Sequence, residues 1–176
     1  QTFAGASVIE QPETFPKGKP RIMIDAGHGG KDQGTSAGNV LEKDLNLQVA
    51  EKLAKELKKR GASVLLTRTD DTKILLNEGY NVVLTRDGET AGDLYERSEL
   101  ANRVNADLFV SIHCNYCEDD SSVQGLECYY REGSDEAQKL AENVVTAVEE
   151  SSLISCRGTR TADFSVLRNT SMTAVL

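Results

Sequence analysis

Apolar residues fall along this chain in two rhythms. Short unbroken runs end at glycine or polar clusters, and longer stretches repeat every three to four residues. The first run, Arg21-Ile-Met-Ile-Asp25, has apolar residues on both faces, which predicts a strand buried inside a sheet. It leads into Gly27 to Gly38, a segment with five glycines, where the backbone can turn tightly and come close to a ligand. From about Leu41 to Arg60 the period is helical. Leu45, Val49, Leu53 and Leu57 recur at i+4, and Leu47, Ala50 and Ala54 widen the stripe. Glu42 and Asp44 in the first turn and Lys58, Lys59 and Arg60 in the last complement the helix dipole, and Gly61 supplies the stop. Ala62 to Thr67 reads as the second strand.

The same alternation continues. Leu94 to Asn105 predicts a short helix with Leu94, Leu100 or Ala101, and Val104 inward; Asp107-Leu-Phe-Val-Ser-Ile112 predicts a third strand. A polar loop over 114–124 precedes a strand at Leu126 to Tyr130. Ser134 caps a helix running to about Glu150, with Ala137, Leu140, Ala141, Val144 and Val148 on one face. Ser165 to Arg168 reads as a short extended piece, and Thr173-Ala-Val-Leu176 as the opening of a buried strand. Strands alternating with helices give an α/β fold: a single domain with a twisted, mostly parallel central sheet flanked by helices. Residues 1–20 lack periodicity and hold all three prolines, so they read as a linker or N-terminal arm, with the domain proper spanning 21–176. Gly61-Ala-Ser-Val-Leu-Leu-Thr-Arg68 is echoed by Gly79-Tyr-Asn-Val-Val-Leu-Thr-Arg86. The first copy is expected to be the sheet strand and the second part of an insertion over 69–93.

Composition narrows the function. A net charge of −8 argues against nucleic acid and anionic membrane as partners. No apolar run approaches the roughly 20 residues of a membrane span. No signal peptide is visible, and the start at Gln1 reads as a mature or trimmed form. Of the four cysteines, Cys114 and Cys117 have CxxC spacing, a weak sign of redox or zinc chemistry without a second pair; Cys128 and Cys156 leave the disulfide pairing open.

The chemistry centres on the only two histidines, His28 and His113. Each follows a predicted parallel strand, and ligands collect outside the carboxyl ends of such strands. A hydrolytic zinc site needs three protein ligands and an open position for water. Glu42, at the start of the helix after the glycine segment, is the best third ligand. Asp25 and Asp32 are rivals, with Asp25 better suited to brace the loop or orient His28. Glu127 is the other carboxylate to watch, although an outward-facing strand residue is its simpler reading.

Several segments together resemble the zinc-dependent N-acetylmuramoyl-L-alanine amidases of the Amidase_3 type. They are Ile24-Asp-Ala-Gly-His-Gly-Gly-Lys-Asp-Gln-Gly34, Leu41-Glu-Lys-Asp-Leu-Asn46, Leu66-Thr-Arg68, Leu94-Tyr-Glu-Arg-Ser-Glu-Leu-Ala-Asn102, Ala106-Asp-Leu-Phe-Val-Ser-Ile-His-Cys-Asn115, Val166-Leu-Arg168 and Thr173-Ala-Val-Leu176. The resemblance runs from about Arg21 to the end. It implies Zn2+ held by His28, Glu42 and His113, and hydrolysis of the amide between N-acetylmuramic acid and L-alanine in peptidoglycan. It also implies a secreted or cell-envelope location, with the peptidoglycan stem peptide and glycan as partners of a monomer. Asn115 is the candidate substrate contact; Arg68 and Arg97 match family positions and are expected to pair with the helices. In the family a general-base glutamate follows the strand that begins like Ala174-Val-Leu176. It is expected just beyond Leu176, so the sequence reads as truncated there. The short 114–124 loop implies a zinc face with no built-in plug. A non-hydrolytic peptidoglycan-binding domain, or another zinc hydrolase such as a peptidase or deacetylase, is the alternative.

Overall fold

The computed structural model describes residues 18–71, 91–115, 120 and 122–176. Its elements in chain order are β1 (Arg21–Ala26), β2 (Ser36–Ala37), β3 (Val40–Leu41), α1 (Glu42–Lys59), β4 (Ser63–Leu66), α2 (Ala91–Arg103), β5 (Leu108–Ile112), β6 (Leu126–Tyr130), α3 (Asp135–Ser151), β7 (Cys156–Thr161), α4 (Ser165–Arg168) and β8 (Thr173–Val175). Six strands form one sheet in the order β4-β1-β5-β8-β6-β7. β4, β1, β5 and β8 pair in parallel, whereas β6 meets β8 antiparallel and carries β7 parallel to itself. The α/β architecture with a mostly parallel sheet flanked by helices is therefore present.

Side-chain alternation along the strands assigns the helices to faces. Ile22, Ile24, Ala26 and Val64 pack with Ala50 and Ala54 of α1, and Leu108 and Ile112 of β5 join them. Val110, Cys128 and Val175 lie with Ala141 and Val145 of α3. Met23, Phe109 and Ala174 point the other way, to Ala101 of α2 and Val166 and Leu167 of α4. So α1 and α3 cover one face, and α2 and α4 the other. Phe109 and Ile24 are fully buried.

The structure corrects several sequence expectations. On α1, Leu45 and Val49 are 40% and 42% exposed. The inward face instead carries Asn46, Ala50 and Ala54, with Leu47, Leu53 and Leu57 beside them. The helix turns about one position away from its leucine stripe because its first turn must deliver Glu42 and Asn46 to the sheet edge. Ser165–Arg168 is a helical turn, not an extended piece; Leu167 N–H and Arg168 N–H both reach the Phe164 carbonyl. The β2–β3 ribbon and β7 carried no apolar pattern and were missed: β7 reads Cys-Arg-Gly-Thr-Arg-Thr, the composition of a charged edge strand. Ser134 does cap α3, accepting from Ala137 N–H. The first repeat copy forms β4, while the second copy lies outside the described residues, as do 116–119 and 121 of the polar loop on which the unplugged face depends. Among the described residues no helix is long and apolar enough to cross a membrane.

Candidate metal centre

β1 ends at Ala26, and the chain then makes a tight left-handed turn. His28, Gly29 and Gly30 have φ of 64°, 143° and 61°. Gly29 and Asp32 close it with a mutual backbone pair at 3.0 and 3.2 Å. The segment then folds back onto the start of α1. That helix has no side-chain cap; its first two N–H groups, of Glu42 and Lys43, donate to the carbonyls of Thr35 and Gln33. The loop thus substitutes for a cap and places Glu42 against His28. His113 arrives from β5, next in the sheet to β1, and Gly27 N–H holds Ile112 C=O at 3.0 Å.

These placements bring His28, Glu42 and His113 together, with one ligand atom from each inside a 4.8 Å cluster. Glu42 Oε1 lies 3.1 Å from His28 Nε2 and 3.1 Å from His113 Nδ1. Both separations are close to the roughly 3.3 Å edge of a tetrahedron with bonds of about 2.0 Å. Two imidazoles and a carboxylate with such spacing fit a zinc ion. The glycines make room: a side chain at Gly27 would overlap the His113 ring, and a Cβ at Gly34 would sit 2.6 Å from Glu42 Oε2 and 2.7 Å from His28 Cδ2.

A second set of groups fixes the three side chains. Asp32 lies 2.5 Å from His28 Nδ1, which turns Nε2 towards Glu42. Glu42 Oε2 accepts from Thr35 N–H and its hydroxyl at 2.9 and 3.1 Å. Oε1 accepts from Cys114 N–H at 2.9 Å and from Asn46 Nδ2 at 3.3 Å. Burial works to raise the Glu42 pKa, but the hydrogen bonds from His113, His28, Thr35 and Cys114 prevail and hold it well below the carboxylate range. Burial likewise disfavours a charged His28; its bonds to Glu42 and Asp32 overcome this and raise it to about 9. The cluster is therefore built to stabilise positive charge at its centre.

Beneath the turn, Asp25 is fully buried and accepts from Thr67 and Ser111 hydroxyls, both at 2.7 Å, and from Arg97 at 2.5 Å. Burial opposes its ionisation, but the Arg97 charge together with the hydrogen bonds from Ser111 and Thr67 and the nearby His113 outweighs that and keeps its pKa low. Arg97 also donates to the carbonyls of Ala26 and His28, each at 2.9 Å. Arg68 donates to the carbonyls of Ala26, Gly27, Lys43 and Asp70. Both arginines thus brace the β1 turn through backbone oxygens and Asp25, rather than pairing with helix carboxylates as expected.

The remaining candidates separate. Asn115 is exposed, two residues past His113, and makes no hydrogen bond with other described residues. Cys114 donates its thiol to Asn46 Oδ1 at 3.4 Å, and burial followed by the Glu42 charge raises its pKa, the reverse of a redox thiol. Cys114, Cys128 and Cys156 are all free, with Cys128 pushed up to about 11 by burial. Glu127 is no solvated strand residue: Tyr129 donates to it at 2.7 Å and Arg160 at 2.8 Å. Thr35 and Asn46 were missed from sequence. Asn46 had a readable signal, since it stands four residues after Glu42 on one helix face.

A family profile described as N-acetylmuramoyl-L-alanine amidase matches residues 22–78 and 72–176. The chain belongs to the N-acetylmuramoyl-L-alanine amidase family. An endolysin of Bacillus phage SPP1 is 34% identical over 163 residues, covering 88% of this chain and 52% of the endolysin. A probable cell wall amidase of Staphylococcus aureus is 34% identical over 158 residues, covering 88% and 45%. The chain thus spans about half the length of these relatives. Among solved structures, the N-acetylmuramoyl-L-alanine amidase of Clostridium difficile 630 superposes with a TM-score of 0.74 at 34% identity, covering 90% of this chain and 77% of that one. The amidase AmiC2 of Nostoc punctiforme gives 0.70 at 38%, covering 90% and 78%.

Proposed function

We propose that this chain is the catalytic domain of a zinc-dependent N-acetylmuramoyl-L-alanine amidase acting on peptidoglycan at the cell envelope. The observation that carries the proposal is the convergence of His28 Nε2, Glu42 Oε1 and His113 Nδ1 within one cluster. These three would hold the ion, and a zinc bound there supplies a Lewis acid and lowers the pKa of a bound water to about 7. The chain's own part is positioning. Asp32 fixes the His28 ring, Thr35 and Cys114 N–H fix Glu42, and Arg97 holds the turn through the His28 carbonyl. Asn115, exposed two residues past His113, is the proposed substrate contact. A monomer suffices, since all three ligands come from one chain.

Incubation of the natural full-length protein with purified peptidoglycan tests this. Intact stem peptides with a free N-terminal L-alanine should leave an uncut glycan, stop with a chelator, and return with zinc. Peptides cut internally, or acetate released instead of peptide, would replace the amidase reading with another zinc hydrolase. Retention on peptidoglycan without any release would replace it with a binding domain.

A further inference from the structure

Outside the His28, Glu42 and His113 cluster, β6 and β7 carry a second group of charged side chains that takes no part in it. Glu127 Oε1 accepts from Arg160 Nε at 2.8 Å and pairs with Arg157 at 3.3 Å, while Oε2 accepts the Tyr129 hydroxyl at 2.7 Å. The Glu127 side chain is only 9% exposed, whereas those of Arg157 and Arg160 are 40% and 49% exposed. In a regular strand, residues three apart point to opposite faces. Here the register slips between Leu126 and Glu127: Leu126 pairs with Cys156 and Glu127 with Gly158, leaving Arg157 as the extra residue. Gly158, at φ 84°, accommodates the irregularity. The bulge re-aims Arg157 so that both guanidinium groups meet one carboxylate, a device common beside binding sites.

Two cations on one anion leave a surplus positive charge in a chain of net −8. Among the described residues, the terminal amino groups of Arg160 meet no other acceptor. Phe164, exposed and edge-on to Tyr129 with ring centroids 5.3 Å apart, forms an apolar border to the group.

The sheet register places this cluster relative to the metal centre. Val110 pairs with Val175, and Val175 with Tyr130. Three residues on from Val110 along β5 comes His113; three residues back from Tyr130 along the antiparallel β6 comes Glu127. The two therefore stand at the same level of the sheet, two strand spacings or about 10 Å apart. An extended peptide covers that distance in about three residues.

We propose that Arg157 and Arg160, held by Glu127, form a seat for a carboxylate of the stem peptide, two or three residues along from the amide cut at His28, Glu42 and His113. The seat rests on the amidase reading for the identity of its ligand. A planar guanidinium pair suits a carboxylate, which it engages through parallel hydrogen bonds. Glu127 is a positioning residue: it fixes the two guanidinium groups and does not itself touch the peptide.

The test compares binding of N-acetylmuramoyl-tripeptide with free carboxylates to binding of the same compound with those carboxylates converted to carboxamides, by calorimetry on the whole chain. The unsubstituted chain should favour the free carboxylates about tenfold or more. Arg157→Gln with Arg160→Gln should narrow that preference to about twofold, and Arg160→Lys should keep part of it by charge alone. Should the double variant fail to fold, Arg157→Gln alone is read for a reduced preference. Equal affinities in the unsubstituted chain, binding of neither compound, or a preference that survives in the variants would overturn the seat. Peptide release is followed separately. A preference without release removes the amidase reading and leaves the seat, and release without a preference does the reverse.

Discussion

The Asp32 carboxylate lies 2.5 Å from Nδ1 of His28, four residues away in the same glycine turn. That contact decides which ring nitrogen of His28 is left to face Glu42 Oε1, 3.1 Å from Nε2. Asp32, a rival carboxylate of the sequence analysis, lies outside the His28, Glu42 and His113 cluster and holds the His28 ring. Such partners set ring orientation and basicity, and losing one typically costs 10- to 100-fold in metal affinity. Asp32→Asn is therefore expected to weaken zinc binding by about that factor while the chain stays folded, as read by competition with a chromophoric chelator.

Gly34 and Gly38 offer a matched comparison, since both are left-handed, with φ of 63° and 59°. A Cβ at Gly38 meets nothing within 4 Å, but one at Gly34 meets Glu42 and His28. Gly38→Ala should bear backbone strain alone, about 1 kcal/mol, and keep its zinc. Gly34→Ala should lose most of its zinc in addition. Chemical denaturation and metal analysis on the two variants check this.

Arg97→Ala removes one partner of an ion pair whose carboxylate, Asp25, is fully buried. Leaving such a charge unpaired costs about 3–5 kcal/mol. The urea midpoint should fall accordingly, and Arg97→Lys should recover little of it, because an ammonium cannot reach Asp25 and the carbonyls of Ala26 and His28 in one fork.

The pKa shifts set a pH dependence for the chelator-treated chain. His28 is raised from 6.5 to about 9, so its contribution to stability is full below about 6.5 and is lost as pH rises through 9. Glu42 is lowered, so its contribution is present above its unfolded value and lost in acid. Thermal midpoints of the chelated chain should decline from pH 6.5 to 9.5. With zinc bound, where imidazole is neutral at every pH in that range, the decline should be much smaller.

The convergence of His28, Glu42 and His113 was legible in the sequence because strand ends are. The apolar run at Leu108 stops at a histidine, the run at Ile22 leads into a glycine turn that carries the other, and the parallel sheet sets β1 beside β5, so both imidazoles reach one edge. Glu42 was legible as the first-turn residue of an amphipathic helix. The rotation of that helix was not, because Leu45 and Val49 satisfy an apolar period as well as Ala50 and Ala54 do. The i+4 spacing could pair Asn46 with Glu42, but it does not say that Asn46 is fully buried at the sheet edge. Arg97 was expected to pair with the helices; its partner Asp25 is 72 positions away, and only the packing of α2 against β1 joins them. The Arg157 and Arg160 pair was hidden for a related reason, since its common facing depends on a bulge that residue identity alone does not announce.

The shared site is tested most directly by the zinc content of the purified chain beside His28→Ala and His113→Ala. The unsubstituted chain is expected to carry about one zinc, and each variant to lose most of it, since one of three protein ligands is gone. Equal zinc in all three proteins would contradict a centre built from these residues.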